Sequence, residues 1–151
     1  MKSYIQFFVL QGIMMILVGS IFIFANSQTY TTIYPLLLIG GLVFCLGLVI
    51  ETIADFQLAR FKQKSSKEEV LSHGLWAISR HPNYLGEILV WWGLGLIAYQ
   101  PSTWWVLLSP LLVTLLLRYV SGVPLLEDRY NSNPDYTAYK KSTPSIFPSF
   151  K

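Results

Sequence analysis

Apolar residues in this chain come in unbroken runs, not in stripes along one face. Four runs stand out, at 5–25, 34–53, 84–99 and 103–119. Each is close to the ~20 residues with which a helix crosses ~30 Å of hydrocarbon. Gln6 and Gln11 are the only strongly polar side chains of the first run. A neutral polar turn, Asn26 to Tyr30, separates it from the second. Pro35 suits the first turn of that second helix, and Gly40, Gly41 and Gly47 allow a neighbouring helix to come close. The third and fourth runs predict a tight hairpin through Gln100-Pro101-Ser102. Trp104 and Trp105 stand at its turn, where an aromatic belt belongs, whereas Trp91 and Trp92 lie nearer mid-span.

Between these runs the chain is charged. The second helix continues past Glu51 and Asp55 to Arg60, into a basic loop placed at 56–80 with Lys62, Lys64, Lys67, Glu68 and Glu69. The tail, 120–151, is polar and rich in Tyr, Pro and Ser, which predicts short helices lying on the membrane surface. The pattern therefore predicts an all-α integral membrane protein. It has a single membrane domain over 1–151, with four transmembrane helices in two hairpins and a surface-lying cytoplasmic C-terminal tail.

Charge placement strengthens that reading. No Asp, Glu, Lys or Arg lies between Lys2 and Glu51, and none between Glu87 and Arg118. Charged residues make up 13% of the chain, about half the ~25% of an ordinary soluble domain. A water-soluble helix of such length needs a charged face, so a soluble globular domain is excluded. With four spans, Lys2, the basic loop and Lys140, Lys141 and Lys151 share one side. The positive-inside rule then puts both termini in the cytoplasm, of a bacterial inner membrane or an endoplasmic reticulum. A net charge of +3 so distributed speaks of orientation, not of nucleic-acid binding. The first run is too long for a signal-peptide core and lacks a small-residue cleavage site, so it is expected to stay in the mature chain.

Composition also limits the chemistry. One cysteine (Cys45) and two histidines (His73 and His81) offer no disulfide and no metal centre. GxGxxG, GxxxxGK[ST] and HExxH are absent, so a nucleotide would have to bind among the helices and their ends. Three segments place polar groups at or near membrane depth. Glu51 and Asp55, four apart, share a helix face, either as solvated acids at a helix end or as the polar wall of a cavity. In the run from Gly74 to Glu87, Pro82 can open a helix, and Asn83 and Glu87 then share a face with Trp91 one turn deeper. Arg80 and His81 sit just outside it, either as headgroup anchors with Asn83 as an N-terminal cap, or as an anion site with the helix N-terminal amides. Asn83, Tyr84 and Glu87 on one intramembrane face are costly without a function. In the third segment, Arg118 can snorkel, and Glu127 and Arg129 either pair at the surface or fold back on the 80–87 corner to complete a polar pocket.

At these residues the chain resembles a known group. Gly74, Trp76, Ser79-Arg80-His81-Pro82-Asn83-Tyr84, Gly86 and Glu87 are followed by Val120 to Glu127, Arg129-Tyr130, Tyr136, Tyr139, Thr143 and Phe147-Pro148. The ordered set looks like the C-terminal part of the DUF1295 proteins, which belong with steroid 5-alpha-reductase-like and sterol-reductase-like membrane enzymes. Glu51, Asp55 and Gln57 match as well, and so does Gln11-Gly12. The resemblance implies NADPH-dependent reduction of a carbon–carbon double bond conjugated to a carbonyl in a lipid-like substrate. It implies Tyr84 and Glu87 as catalytic candidates. Asp55, Asn83, Tyr84, Glu87, Arg118, Glu127, Arg129 and Tyr130 would line the cofactor cavity, with Arg80 and His81 on the phosphates. Members of that group are usually longer, with helices ahead of the point matching Met1, which implies a short form, half of a split or oligomeric protein, or a fragment. Arg80-His81-Pro82, Tyr84 and Gly86, with the later Glu and Tyr-x-x-Tyr, also resemble the isoprenylcysteine carboxyl and phospholipid methyltransferases, which use S-adenosylmethionine. A non-catalytic membrane partner is the third alternative.

Overall fold

The computed structural model describes residues 16, 18, 19, 23, 33–64, 69–120, 122–128, 130 and 132–148. The first predicted span, 5–25, falls almost wholly outside them. Among the described residues the structure is all-helical, with no strand.

Helix α1, Tyr34–Lys64, has 31 residues and begins one residue ahead of Pro35. At 1.5 Å per residue it is about 46 Å long, well beyond the ~30 Å of a hydrocarbon layer. It includes 56–64, so the segment expected as a loop from 56 is helical to Lys64. Many of its apolar side chains are exposed, among them Leu38, Leu42 and Val49, because among the described residues one helix packs along it and covers one face.

That neighbour is α2, Pro82–Ala98, which runs antiparallel to α1. Its register is set by glycines spaced two turns apart on each helix. Gly40 faces Gly93, and Gly47 faces Gly86, so closely that a Cβ on Gly40 would lie 2.8 Å from the Gly93 carbonyl oxygen. Backbone meets backbone at both pairs, which only residues without a side chain permit.

A 3-10 turn at Gly74–Ala77 joins the two helices and is pinned to α1. Gln57 Oε1 accepts from Leu75 N at 3.1 Å, and Trp76 Nε1 donates to Ala54 O at 3.2 Å. Gly74 has φ of +64°, a conformation that side chains resist, and it leaves room for the Gln57 amide.

After α2 the chain turns through a 3-10 segment, Pro101–Leu107, broken at Thr103, and becomes α3, Leu108–Leu115. The fourth run was expected to be one α-helix from 103. Pro110 lacks the amide to carry an α-helical ladder back into 103–107, so that stretch winds more tightly. Trp92 Nε1 donates to Thr114 Oγ1 at 3.1 Å, and that hydroxyl donates to Pro110 O at 2.7 Å, tying α3 to α2. A π-turn, Leu116–Val120, carries Arg118. Helix α4, Val123–Asp128, and helix α5, Pro134–Ser142, follow. Asn133 caps α5, its Oδ1 accepting from Asp135 N at 2.9 Å and Tyr136 N at 3.1 Å.

Among the described residues, two helical runs are long and apolar enough to cross a membrane: α1, and the composite run Pro101–Asp128 of 28 residues. The apolar part of the second ends at Leu117, ahead of Arg118. Ile88, Val123 and Ile146 form a buried cluster that joins α2, α4 and the segment after α5.

Candidate functional site

The tail does not trail away. It folds back on the start of α2, and residues 143–146 act as a strap beneath it. Arg80 N and His81 N donate to Pro144 O and Ser145 O at 2.9 and 3.0 Å. Ser79 Oγ donates toward Ile146 O at 2.8 Å and accepts from His81 N at 3.2 Å. Tyr139 OH donates to Trp76 O, which joins α5 to the 3-10 turn. Pro82 then starts α2 without an unmet amide, so Arg80, His81 and Asn83 are held at a rigid helix entrance.

Glu127 is the electrostatic centre of that corner. Its Oε1 lies 2.9 Å from Arg80 Nη2 and 3.4 Å from His81 Nε2, and its Oε2 lies 2.7 Å from Lys140 Nζ. Arg80, His81 and Glu127 are all buried, whereas Lys140 reaches in from the surface. Burial pushes the His81 imidazole below its ordinary range, more than the Glu127 carboxylate beside it raises it. His81 is therefore neutral at pH 7. Burial, reinforced by the Glu127 charge, pushes the Tyr136 phenol up to about 12, and burial with Tyr136 beside it pushes Tyr139 up as well. Both phenols stay protonated and can donate.

A cleft of about 500 Å³ opens over this corner. The outer end of α1 supplies Leu58, Phe61 and Lys62, the segment before the 3-10 turn supplies Glu69, Val70 and Leu71, the helix entrance supplies Trp76, Arg80, His81 and Asn83, and the tail supplies Leu126, Tyr130, Tyr136 and Tyr139. The Tyr130 and Tyr136 rings stack at 5.1 Å, and Tyr139 meets Tyr136 edge-on at 6.0 Å. Volume and lining are those of a small-molecule site: mostly apolar and aromatic walls with a few polar groups that converge. Stacked rings suit a heteroaromatic base, and Lys62 and Arg80 suit anionic oxygens. The residues present thus fit a nucleotide-type cofactor.

The sequence-derived candidates divide in two. Arg80, His81, Asn83 and Tyr130 line the cleft, and Glu127 sits behind Arg80. Tyr84 stacks on His81 at 5.3 Å and packs on the buried cluster. Glu87 is partly buried, and the acids it feels are Glu51 and Asp55 across α1. Neither Glu87 nor Asp55 reaches the cleft lining. Arg118 Nη1 donates to Ser145 Oγ at 3.1 Å and so supports the strap. Arg129 lies outside the described residues. Among the described residues, no group of His, Cys, Asp and Glu could hold a metal ion.

Sequence reasoning did not place Phe61, Lys62, Trp76, Tyr136 or Tyr139 in the site, nor Ser79, Lys140 and Ser145 behind it. The i, i+3 spacing of Tyr136 and Tyr139 was a usable signal, since it puts both rings on one helix face.

The fold and the cleft define a helical protein with long apolar helices and an aromatic pocket, edged by Lys62, Glu69 and Arg80, at one end of them. The family model described as "Protein of unknown function (DUF1295)" matches residues 1–143, and the chain belongs to that family. No curated protein and no solved structure matches it.

Proposed function

We propose that this chain is an integral membrane protein that binds NADP(H) in the cleft and reduces a carbon–carbon double bond in a lipid-like enone. The cleft carries the reading: stacked tyrosines and Trp76 line it together with Arg80 and Lys62, around about 500 Å³. The resemblance to sterol-reductase-like enzymes supplies the reaction type. When bound, NADPH supplies a hydride. The chain's residues do the rest. The aromatic wall binds a base by stacking, Lys62 and Arg80 attract phosphate, and neutral His81 offers a hydrogen bond without adding charge. The test is equilibrium titration of the purified protein in detergent. Saturable NADPH binding is expected, with none for S-adenosylmethionine. Lys62→Ala, a change at an exposed side chain, is expected to weaken it roughly fivefold by removing one charge-assisted contact. Binding of S-adenosylmethionine alone would favour methyl transfer, and binding of neither would favour a non-catalytic partner role.

The proposal includes four spans in two hairpins, at 5–25, 34–53, 84–99 and 103–119, with both termini cytoplasmic. The length of α1 supports it, because about 15 Å beyond the hydrocarbon would carry Leu58 to Lys62 to an aqueous cleft mouth. Cysteines introduced at Ser27 and Ser65 in a Cys45→Ser background are expected to label from opposite sides of intact cells. Labelling of both from one side would overturn the topology.

A further inference from the structure

The composite run Pro101–Asp128 carries one exposed apolar stripe. Leu108, Leu111, Leu115 and Tyr119 follow at spacings of three and four, which is one helix face, and all are exposed. The stripe does not stop at Arg118. Val120 continues it, Leu125 on α4 follows, and Phe147 at the end of the strap is exposed too. Arg118 reaches inward, with Nη1 on Ser145 Oγ at 3.1 Å, so its charge lies under the strap and does not break the apolar surface. Asp128, one turn beyond Leu125, is the first exposed charge on the outside of α4.

Packing fixes the depth of these residues. Ile88 lies six residues into α2, about 9 Å from its start. Leu117, Val123 and Ile146 pack with it there. The chain thus leaves α3 and enters α4 at one level. Helix α4, six residues long, covers about the same 9 Å in rising beside α2, and brings Glu127 to Arg80. From this we infer that α4 and the strap are immersed in the cytoplasmic leaflet, with Tyr119, Val120, Leu125 and Phe147 against acyl chains. The partner of this surface is lipid, and the surface continues the lipid face of α3. The inference rests on the membrane reading above and goes past it, since a tail resting on the membrane would leave these four side chains in water. There they would form an apolar patch with nothing to cover it, whereas in the leaflet lipid covers it. Across the bundle, Phe56 closes the exposed stripe of α1, and the Arg60 guanidinium stands 4.6 Å from its ring centroid. An aromatic ring with a cation above it marks the boundary on that side.

Depth-dependent fluorescence quenching tests this on the full chain. Leu125→Cys and Phe147→Cys, each in a Cys45→Ser background, are labelled with a nitrobenzoxadiazole dye and reconstituted into phosphatidylcholine vesicles. Ala138→Cys, at an exposed position on α5, is the aqueous reference, and Leu42→Cys, at an exposed position on α1, is the deep reference. Labels at 125 and 147 are expected to emit further to the blue than the label at 138. They should lose most of their fluorescence to chains brominated near the headgroup end and little to iodide in the water. The label at 138 should do the reverse. Labels at 125 and 147 that respond as the one at 138 does, with the label at 42 quenched by lipid, would overturn the immersion and leave the membrane reading standing. A label at 42 quenched by iodide and not by lipid would overturn both. Should Leu125→Cys fail to fold, Tyr119→Cys supplies a second label on the same stripe and decides in its place.

Discussion

Glu127→Gln is expected to cost about 3–5 kcal/mol of stability, the range for removing one partner of a buried ion pair. The Arg80 and Glu127 side chains are 8% and 9% exposed, so water cannot take over when the carboxylate goes. Glutamine keeps the shape and one acceptor oxygen but leaves the guanidinium charge buried. Lys140→Ala is the contrast. Its side chain is 45% exposed, and the loss should stay below about 1 kcal/mol despite a 2.7 Å contact. Arg80→Gln added to Glu127→Gln should restore part of the deficit, because the orphaned charge leaves with it. The corner should also weaken in acid. His81 has its folded pKa lowered from 6.5, so its contribution is full above that value. Below it the unfolded chain binds the proton first, and stability falls as the pH drops toward the folded pKa. Chemical denaturation in micelles at pH 7.5 and 5.5 reads all of this. A Glu127→Gln protein within 1 kcal/mol of the parent would contradict the arrangement.

The second large effect belongs to the glycines between α1 and α2. A Cβ on Gly86 would lie 2.6 Å from Glu51 N, and one on Gly47 would lie 2.7 Å from both Gly86 O and Val90 N. These neighbours are backbone atoms and have no rotamer to change, so the helices themselves must part. Gly86→Ala and Gly47→Ala are each expected to lose about 1–3 kcal/mol. The double variant should lose less than the sum, since the two sites share one contact and the first methyl already separates the pair. Gly41→Ala is the control. Nothing lies within 4 Å of its Cβ position, and better helix propensity should leave it neutral or up to about 1 kcal/mol more stable. Equal behaviour of Gly86→Ala and Gly41→Ala would show that the helices do not meet as closely as described.

Much of this architecture was legible in the sequence, for identifiable reasons. Helix α1 follows from an apolar run without charge, and Pro82 marks the start of α2 because proline fits a first helical turn. Gly40 and Gly47 signalled close approach. Their partners on α2, Gly86 and Gly93, required the register between two helices, which no local pattern carries. The 3-10 winding of 101–107 was not read from the pattern because an apolar run shows only that a helix forms, and the missing amide of Pro110, though visible in the sequence, does not by itself say where the α-helix begins. At the site, Arg80, His81 and Asn83 were readable from their place beside a helix start. That Glu127 folds back onto Arg80 was one of two readings, and spacing could not choose between them. The strap was illegible: its acceptors are the main-chain carbonyls of Pro144, Ser145 and Ile146, and every residue has one.

That strap has a consequence for the timing of synthesis. The contacts that close α1 on α2 are complete once Ile97 has been made, whereas those that seat Ser79, Arg80 and His81 reach across 60 to 67 residues to Lys140, Ser145 and Ile146. At about 5–20 residues per second, a growing chain needs roughly 2–10 s to pass from the end of α2 to Ile146. During those seconds the helix pair already stands, while the amides of Arg80 and His81 and the guanidinium charge wait for their partners. The cleft is the last part of the described molecule to be born, and the newly made protein exposes a cationic, unsealed corner until then.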